Sequence, residues 1–227
     1  MNFNEKLFEI YKENINILNT NSEKQAQVTH PFLLSIPDDC GNKIKIMIFG
    51  QETNDWGEFS DNNIEKKMDA YKNFWFDKNS KFSKVGTFQQ VLTKFQNMLE
   101  IDKTCCIWNN TIKIGKRKDK GIPSQELLDW QENWFDVVKQ EVELLKPDFI
   151  IFFNANKTYD KYIEKSLGKY TQSKYSDKYK KNAFSKLVFE DYKEIKVFRT
   201  YHPNYLRRSK LENEILNLLI KEIKKDL

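Results

Sequence analysis

Three short polar stretches of this 227-residue chain hold side chains whose types could do chemistry. The first is Gly50-Gln51-Glu52-Thr53-Asn54, with a carboxylate at its centre. Such a group can stabilise a growing positive charge or orient a water molecule. The second is Asn109-Asn110-Thr111, in which an amide side chain offers one acceptor and two donors. The third is Tyr201-His202-Pro203-Asn204-Tyr205-Leu206-Arg207-Arg208, which carries one of only two histidines in the chain. An imidazole can donate a hydrogen bond whether neutral or charged. What unites the three is position, because each follows directly on an apolar run.

Those runs read as strands. Ile44 to Phe49 is apolar and β-rich and stops at Gly50, as a buried parallel strand would. Thr104 to Trp108 ends at Asn109-Asn110, and Asp148 to Phe153 ends at Asn154. Ala183 to Phe189 and Ile195 to Thr200 form a hairpin whose second strand leads to His202. Between them lie helices. Phe3 to Ile17, Asn62 to Phe76 and Thr87 to Leu99 read as helical, the last with a strong apolar stripe at Phe88, Val91, Leu92, Phe95, Met98 and Leu99. Ser124 is a good N-cap for a helix running to about Leu145. Lys157 to Leu167 is a helix stopped by Gly168. Tyr170 to Asn182 reads as a lysine- and tyrosine-rich loop, and Leu206 to Asp226 as the closing helix. Strands alternating with helices predict an α/β fold, a three-layer α/β/α sandwich with a mostly parallel central sheet. Ligands of such sheets bind beyond the carboxyl ends of the strands, which is where the three polar stretches fall.

The composition narrows the classes. The length suits one domain, here residues 1–227 with an N-terminal helical arm over 1–40 packed on it. Lys plus Arg number 38 and Asp plus Glu 33. The resulting net charge of +5 permits a polyanionic partner without requiring one. Three cysteines without metal-ligand spacing, and two isolated histidines, argue against a metal site. Cys105 and Cys106 read as buried strand residues. The charged, amphipathic start does not read as a signal peptide, and no run of about 18 apolar residues predicts a membrane span. A cytoplasmic protein is expected. The basic run Lys113, Lys116, Arg117, Lys118 and Lys120 reads as a solvated loop placed to meet phosphates.

In order and in strand context, the three stretches resemble the uracil-DNA glycosylase superfamily. That family carries a GQDPY-type loop after one strand, an asparagine in an LNT-type context after another, and HPSPLS after the last. Here Gly50-Gln51-Glu52-Thr53-Asn54, Asn109-Asn110-Thr111 and His202-Pro203-Asn204-Tyr205-Leu206 take those places, over roughly Ile44 to Arg208. The resemblance implies a monofunctional DNA glycosylase that flips a base into a pocket and hydrolyses its N-glycosidic bond. It implies DNA as the partner and no cofactor, metal or membrane, and a monomer is expected. Glu52 and His202 become the catalytic candidates, Glu52 toward the sugar and His202 toward the leaving base. Gln51, Asn54 and Asn110 become base-binding, with Asn110 reading a pyrimidine's N3–H and O4 edge. Phe82, or else Trp56, stacks on the base. Leu206 is the apolar wedge that fills the vacated stack, and Arg207 and Arg208 grip phosphates.

The family's water-activating aspartate or asparagine is Glu52 here, one methylene longer, with Asn54 or Asp55 as further groups that could position water. The family's proline and tyrosine are Thr53 and Asn54, and that tyrosine is the residue that shuts out thymine's methyl group. A second reading therefore stands beside the first, a nucleic-acid-binding member of the fold without bond cleavage. Each residue also has a plainer role: Glu52 as a solvated acid, Asn110, Asn154 and Asn156 as turn residues, His202 as a cap, Leu206 as helix core. His30 reads as structural, in a segment that could fold against the site.

Overall fold

The computed structural model describes residues 2–18, 21–37, 40, 45–54, 56–57, 59, 63–77, 80, 86–100 and 105–226. Six strands form one sheet: β1 (Ile46–Glu52), β2 (Cys106–Ile112), β3 (Phe149–Phe152), β4 (Tyr170–Lys174), β5 (Phe184–Phe189) and β6 (Lys196–Thr200). Their order across the sheet is β2-β1-β3-β6-β5-β4. Neighbours from β2 to β6 run parallel, while β5 pairs antiparallel with both β6 and β4. Every residue of β2 and β3 is buried, and so are the first five of β1. Strands buried on both faces must be covered by other elements on each side, which is why these runs are almost continuously apolar. The expected α/β class with a mostly parallel sheet is the one observed.

The covering helices are α1 (Phe3–Leu18), α2 (Ser22–Gln25), α3 (Ile64–Trp75), α4 (Thr87–Leu99), α5 (Gln125–Trp134), α6 (Val138–Leu145), α7 (Asp160–Leu167), α8 (Pro203–Arg208) and α9 (Glu212–Ile223). Caps set several starts: the Asn63 side chain accepts from Lys66 N at 2.8 Å, and Ser124 Oγ from Leu127 N. The single helix expected from Ser124 is broken, because Phe135 and Val137 turn into the core between α5 and α6. The closing helix is likewise two helices, with Lys210 at φ 58° between them. The stretch expected to be a loop from Tyr170 begins as strand β4, whose backbone pairs with β5.

A more consequential difference concerns β1 and β2. Both run past the apolar residues and carry the polar ones within the ladder, where Gly50 stands opposite Asn110 and Glu52 opposite Ile112. Glu52 and Asn110 are thus strand residues rather than loop residues. Lys113, read as part of a solvated loop, is fully buried. Its Nζ lies 2.7 Å from Glu141 Oε1 on α6 and 2.6 Å from Asn109 Oδ1 on β2. Glu141 also accepts from Tyr11 Oη of α1 at 2.7 Å and from Asn109 Nδ2 at 2.8 Å. The Tyr11 hydroxyl in turn accepts from Leu34 N at 2.9 Å. Burial lowers the affinity of Lys113 for its proton, and the adjacent Glu141 carboxylate opposes that effect.

Beside this cluster the segment from Thr29 to Phe32 runs along residues 113–115. Phe32 N donates to Lys113 O at 2.8 Å and Thr29 N to Gly115 O at 2.9 Å. A Cβ on Gly115 would lie 1.7 Å from Thr53 O, so only glycine lets these backbones meet. The His30 segment therefore does fold against the stretch that continues β2.

Breaking the buried pair from one side leaves an uncompensated buried charge. Glu141→Gln or Lys113→Met should each cost about 3–5 kcal/mol in urea unfolding, whereas Lys113→Met with Glu141→Leu should cost less than either alone. Additive losses in the double variant would contradict this reading.

Candidate active site

A cavity of about 740 Å³ opens beyond the ends of β1 and β2, facing the starts of α4 and α8. Gln51, Glu52, Asn54, Asn110 and His202 all line it, so the structure brings five of the sequence-derived site residues to one place. Its walls are strongly aromatic, with Phe32, Trp56, Phe74, Phe88 and Trp108. Trp56 packs on Phe32 at 4.9 Å and on Phe74 at 5.3 Å between ring centroids. Phe82 and Asp55 lie outside the described residues.

Gly50 forms a close approach at the base of the cavity. A Cβ there would stand 2.6 Å from Asn110 Oδ1 and 3.2 Å from the Phe88 ring, so any side chain would displace the amide. The orientation of Asn110 follows from hydrogen-bond accounting. Thr53 Oγ1 has one hydrogen, which it donates to Lys113 O at 2.7 Å. It must then accept from Asn110 Nδ2, 3.2 Å away, which leaves Asn110 Oδ1 on the Gly50 side of the amide. Asn110 N donates to Asn109 Oδ1 at 2.8 Å, linking it directly to the Lys113–Glu141 cluster. Asn154, expected to be a turn residue, is fully buried and donates to Thr111 Oγ1 at 2.7 Å. Thr111 donates to Gly50 O at 2.9 Å. The carboxyl ends of β1, β2 and β3 are thus tied together beneath the cavity.

His202 is the N-cap of α8, with Pro203 in the first turn where its missing N–H costs nothing. Its Nδ1 accepts from Asn204 N at 3.2 Å, so in the neutral ring the hydrogen sits on Nε2. Burial, with a smaller push from the Arg208 charge, lowers the His202 pKa from 6.5 to about 4. The group is therefore a neutral N–H donor at physiological pH. Its cap role and its cavity role coexist, since each uses a different ring nitrogen. Its ring stacks on Phe88 at 5.6 Å with a 26° interplanar angle. Phe88 is one of the site residues that sequence reasoning missed. It was visible as the first apolar residue of the α4 stripe, at the helix end that meets the strand exits. Glu52 is half-buried, and the Tyr159 hydroxyl donates to its Oε2.

The DNA-facing expectations need correction. Leu206 is fully buried and cannot serve as a wedge from that position; it is part of the hydrophobic core. Arg207 is already engaged, with Nε 2.8 Å from Glu212 Oε2 and Nη1 2.9 Å from Gln90 Oε1. Arg208 is exposed, its guanidinium 5.8 Å from the Tyr205 ring centroid, and no carboxylate pairs with it among the described residues. The exposed apolar residue of this helix is Tyr205, 47% accessible and packed on Tyr201 at 4.5 Å. Lys120, also exposed, lies on the cavity rim.

Among the described residues no group of three His, Cys, Asp or Glu side chains is placed to hold a metal ion. No described helix is long and apolar enough to cross a membrane. A comparison with curated proteins finds no match. The family model for the uracil DNA glycosylase superfamily, in contrast, matches residues 37–224, a span holding all three polar stretches and, Phe32 apart, the residues that line the cavity. With that match over most of its length, the chain belongs to the uracil DNA glycosylase superfamily.

Proposed function

We propose that this chain is a monofunctional DNA glycosylase that hydrolyses the N-glycosidic bond of a base flipped out of DNA into the cavity. The observation that carries this reading is the presence of Glu52, Asn110 and His202 around one aromatic-walled cavity at the carboxyl end of the sheet. A flipped base needs ring surface for its faces and polar groups for its edge. Phe88 and Trp56 supply the first, and the Asn110 amide the second through its acceptor and remaining N–H. Trp56 Nε1 is buried with no hydrogen-bond partner among the described residues, a donor that a bound base or water can satisfy.

In the reaction, the C1′–N bond breaks with its electron pair leaving on the base. His202 Nε2–H donates a hydrogen bond to the carbonyl where that negative charge collects. The positive charge on the sugar faces Glu52, which accepts a proton from the water that forms the new C1′–O bond. Glu52 then gives its proton to solvent and the base anion takes one up, so the products are a free base and an abasic sugar. Asn54, exposed at the rim, stands in place of the tyrosine that excludes thymine's methyl group, and the cavity exceeds a single pyrimidine ring, so excision is not limited to uracil. Arg208, Lys120 and Tyr205 are the exposed groups beside the cavity suited to phosphate and base-stack contact.

Oligonucleotides bearing uracil or other modified bases, incubated with the protein and then alkali, should show strand breaks at the modified base. Salt-dependent binding with no abasic product would leave a binding protein instead. His202→Ala should lower the single-turnover rate by about 10²–10³. Because His202 titrates near pH 4, the rate should show no limb at 6.5, the ordinary value for histidine. A rate that rises on acidification through 6.5 would mean that the imidazolium is the active form.

Tyr205→Ala should weaken DNA binding and leave the melting temperature nearly unchanged. Leu206→Ala should do the reverse and destabilise by about 2–5 kcal/mol. Weakened binding only in a stable Leu206→Ala protein would restore the wedge to Leu206.

A further inference from the structure

We infer that Tyr159 is a positioning residue for Glu52, holding the carboxylate in the one rotamer that faces the sugar; this rests on the glycosylase reading of the cavity. Tyr159 closes a short 3-10 turn, Lys157–Tyr159, soon after β3, and is only 5% exposed. Its hydroxyl donates to Glu52 Oε2, and among the described residues no other side chain binds that carboxylate. A glutamate at the end of a strand has one more rotatable bond than an aspartate, and ordering it costs entropy. The tyrosine hydrogen bond selects one arrangement and leaves Oε1 for the cavity. The longer side chain and the tyrosine thus form a pair. Burial and the neighbouring carboxylate push the phenol's pKa well above its usual value, so Tyr159 stays a donor.

The turn that carries Tyr159 is itself held in place. Arg199 of β6, 2% exposed, donates from Nη2 to Asn154 O at 3.0 Å and Asn156 O at 3.1 Å. Its Nη1 pairs with Asp160 Oδ1 at 2.6 Å. Asn156 Oδ1 accepts from Thr158 N at 3.1 Å, closing the turn. Arg199 stands three residues before His202, so one buried guanidinium couples the support of the carboxylate to the strand that delivers the imidazole.

The test needs no turnover. Binding is measured to two oligonucleotides, one with a cationic pyrrolidine in place of the target sugar and one with a neutral tetrahydrofuran. The wild-type protein should prefer the cation, and Tyr159→Phe should reduce that preference about tenfold, the scale of a lost hydrogen bond to a charged group. Glu52→Gln should abolish the preference, and adding Tyr159→Phe to it should cost nothing further. A wild-type level of preference in Tyr159→Phe would overturn the inference. So would equal weakening toward both probes in both backgrounds, the mark of a merely structural residue, or a wild-type protein with no preference. A wild-type protein that prefers the cation but releases no base from any substrate would instead overturn the bond-cleavage reading and leave the role of Tyr159 intact.

Discussion

The buried ion pair between Lys113 and Glu141 is the constraint on which the site depends. Neither group touches solvent, and each would be costly in the interior alone. Their pairing is completed by Asn109 and Tyr11, which join α1, α6 and the end of β2 in one hydrogen-bonded cluster. Asn109 then passes the constraint to its neighbour, since its side-chain oxygen receives the Asn110 backbone N–H. The amide proposed to read the base is therefore set by a charge pair beneath it, and the N-terminal helix is part of that support.

Above this cluster, the polar groups of the cavity are matched to opposite tasks. His202 is kept neutral by burial and by Arg208, and its cap bond to Asn204 leaves Nε2–H free to donate. Glu52 is tied to the tyrosine after β3. Glu52 ends β1 and His202 follows β6, and the buried Arg199 of β6 fastens the turn behind the first to the strand that leads to the second. A rigid polar frame of this kind stabilises developing charge without having to reorganise during the reaction.

The apolar cores of β1, β2 and β3 were legible in the sequence, as was the α4 stripe, because burial on both faces leaves an unmistakable composition. The ends of β1 and β2 were not. Glu52, Asn109 and Asn110 look like loop residues locally, and only pairing across the ladder and a partner 32 residues away on α6 make a buried asparagine affordable. Lys113 was misread for the same reason, since its partner Glu141 lies far along the chain. Leu206 was placed by family position, whereas the geometry of α8 turns it inward and Tyr205 outward. Phe88 and Tyr159 carry no motif, and their roles come from where the helix and the turn meet the cavity.

The central claim is that the cavity takes a base and releases it. Mass spectrometry of the small molecules freed from a pool of oligonucleotides with differently modified bases tests it most directly. The account predicts one or a few free bases, each released in equal number with abasic sites and lost in Glu52→Gln and His202→Ala. A folded, DNA-bound protein that frees no base from any member of the pool would contradict it.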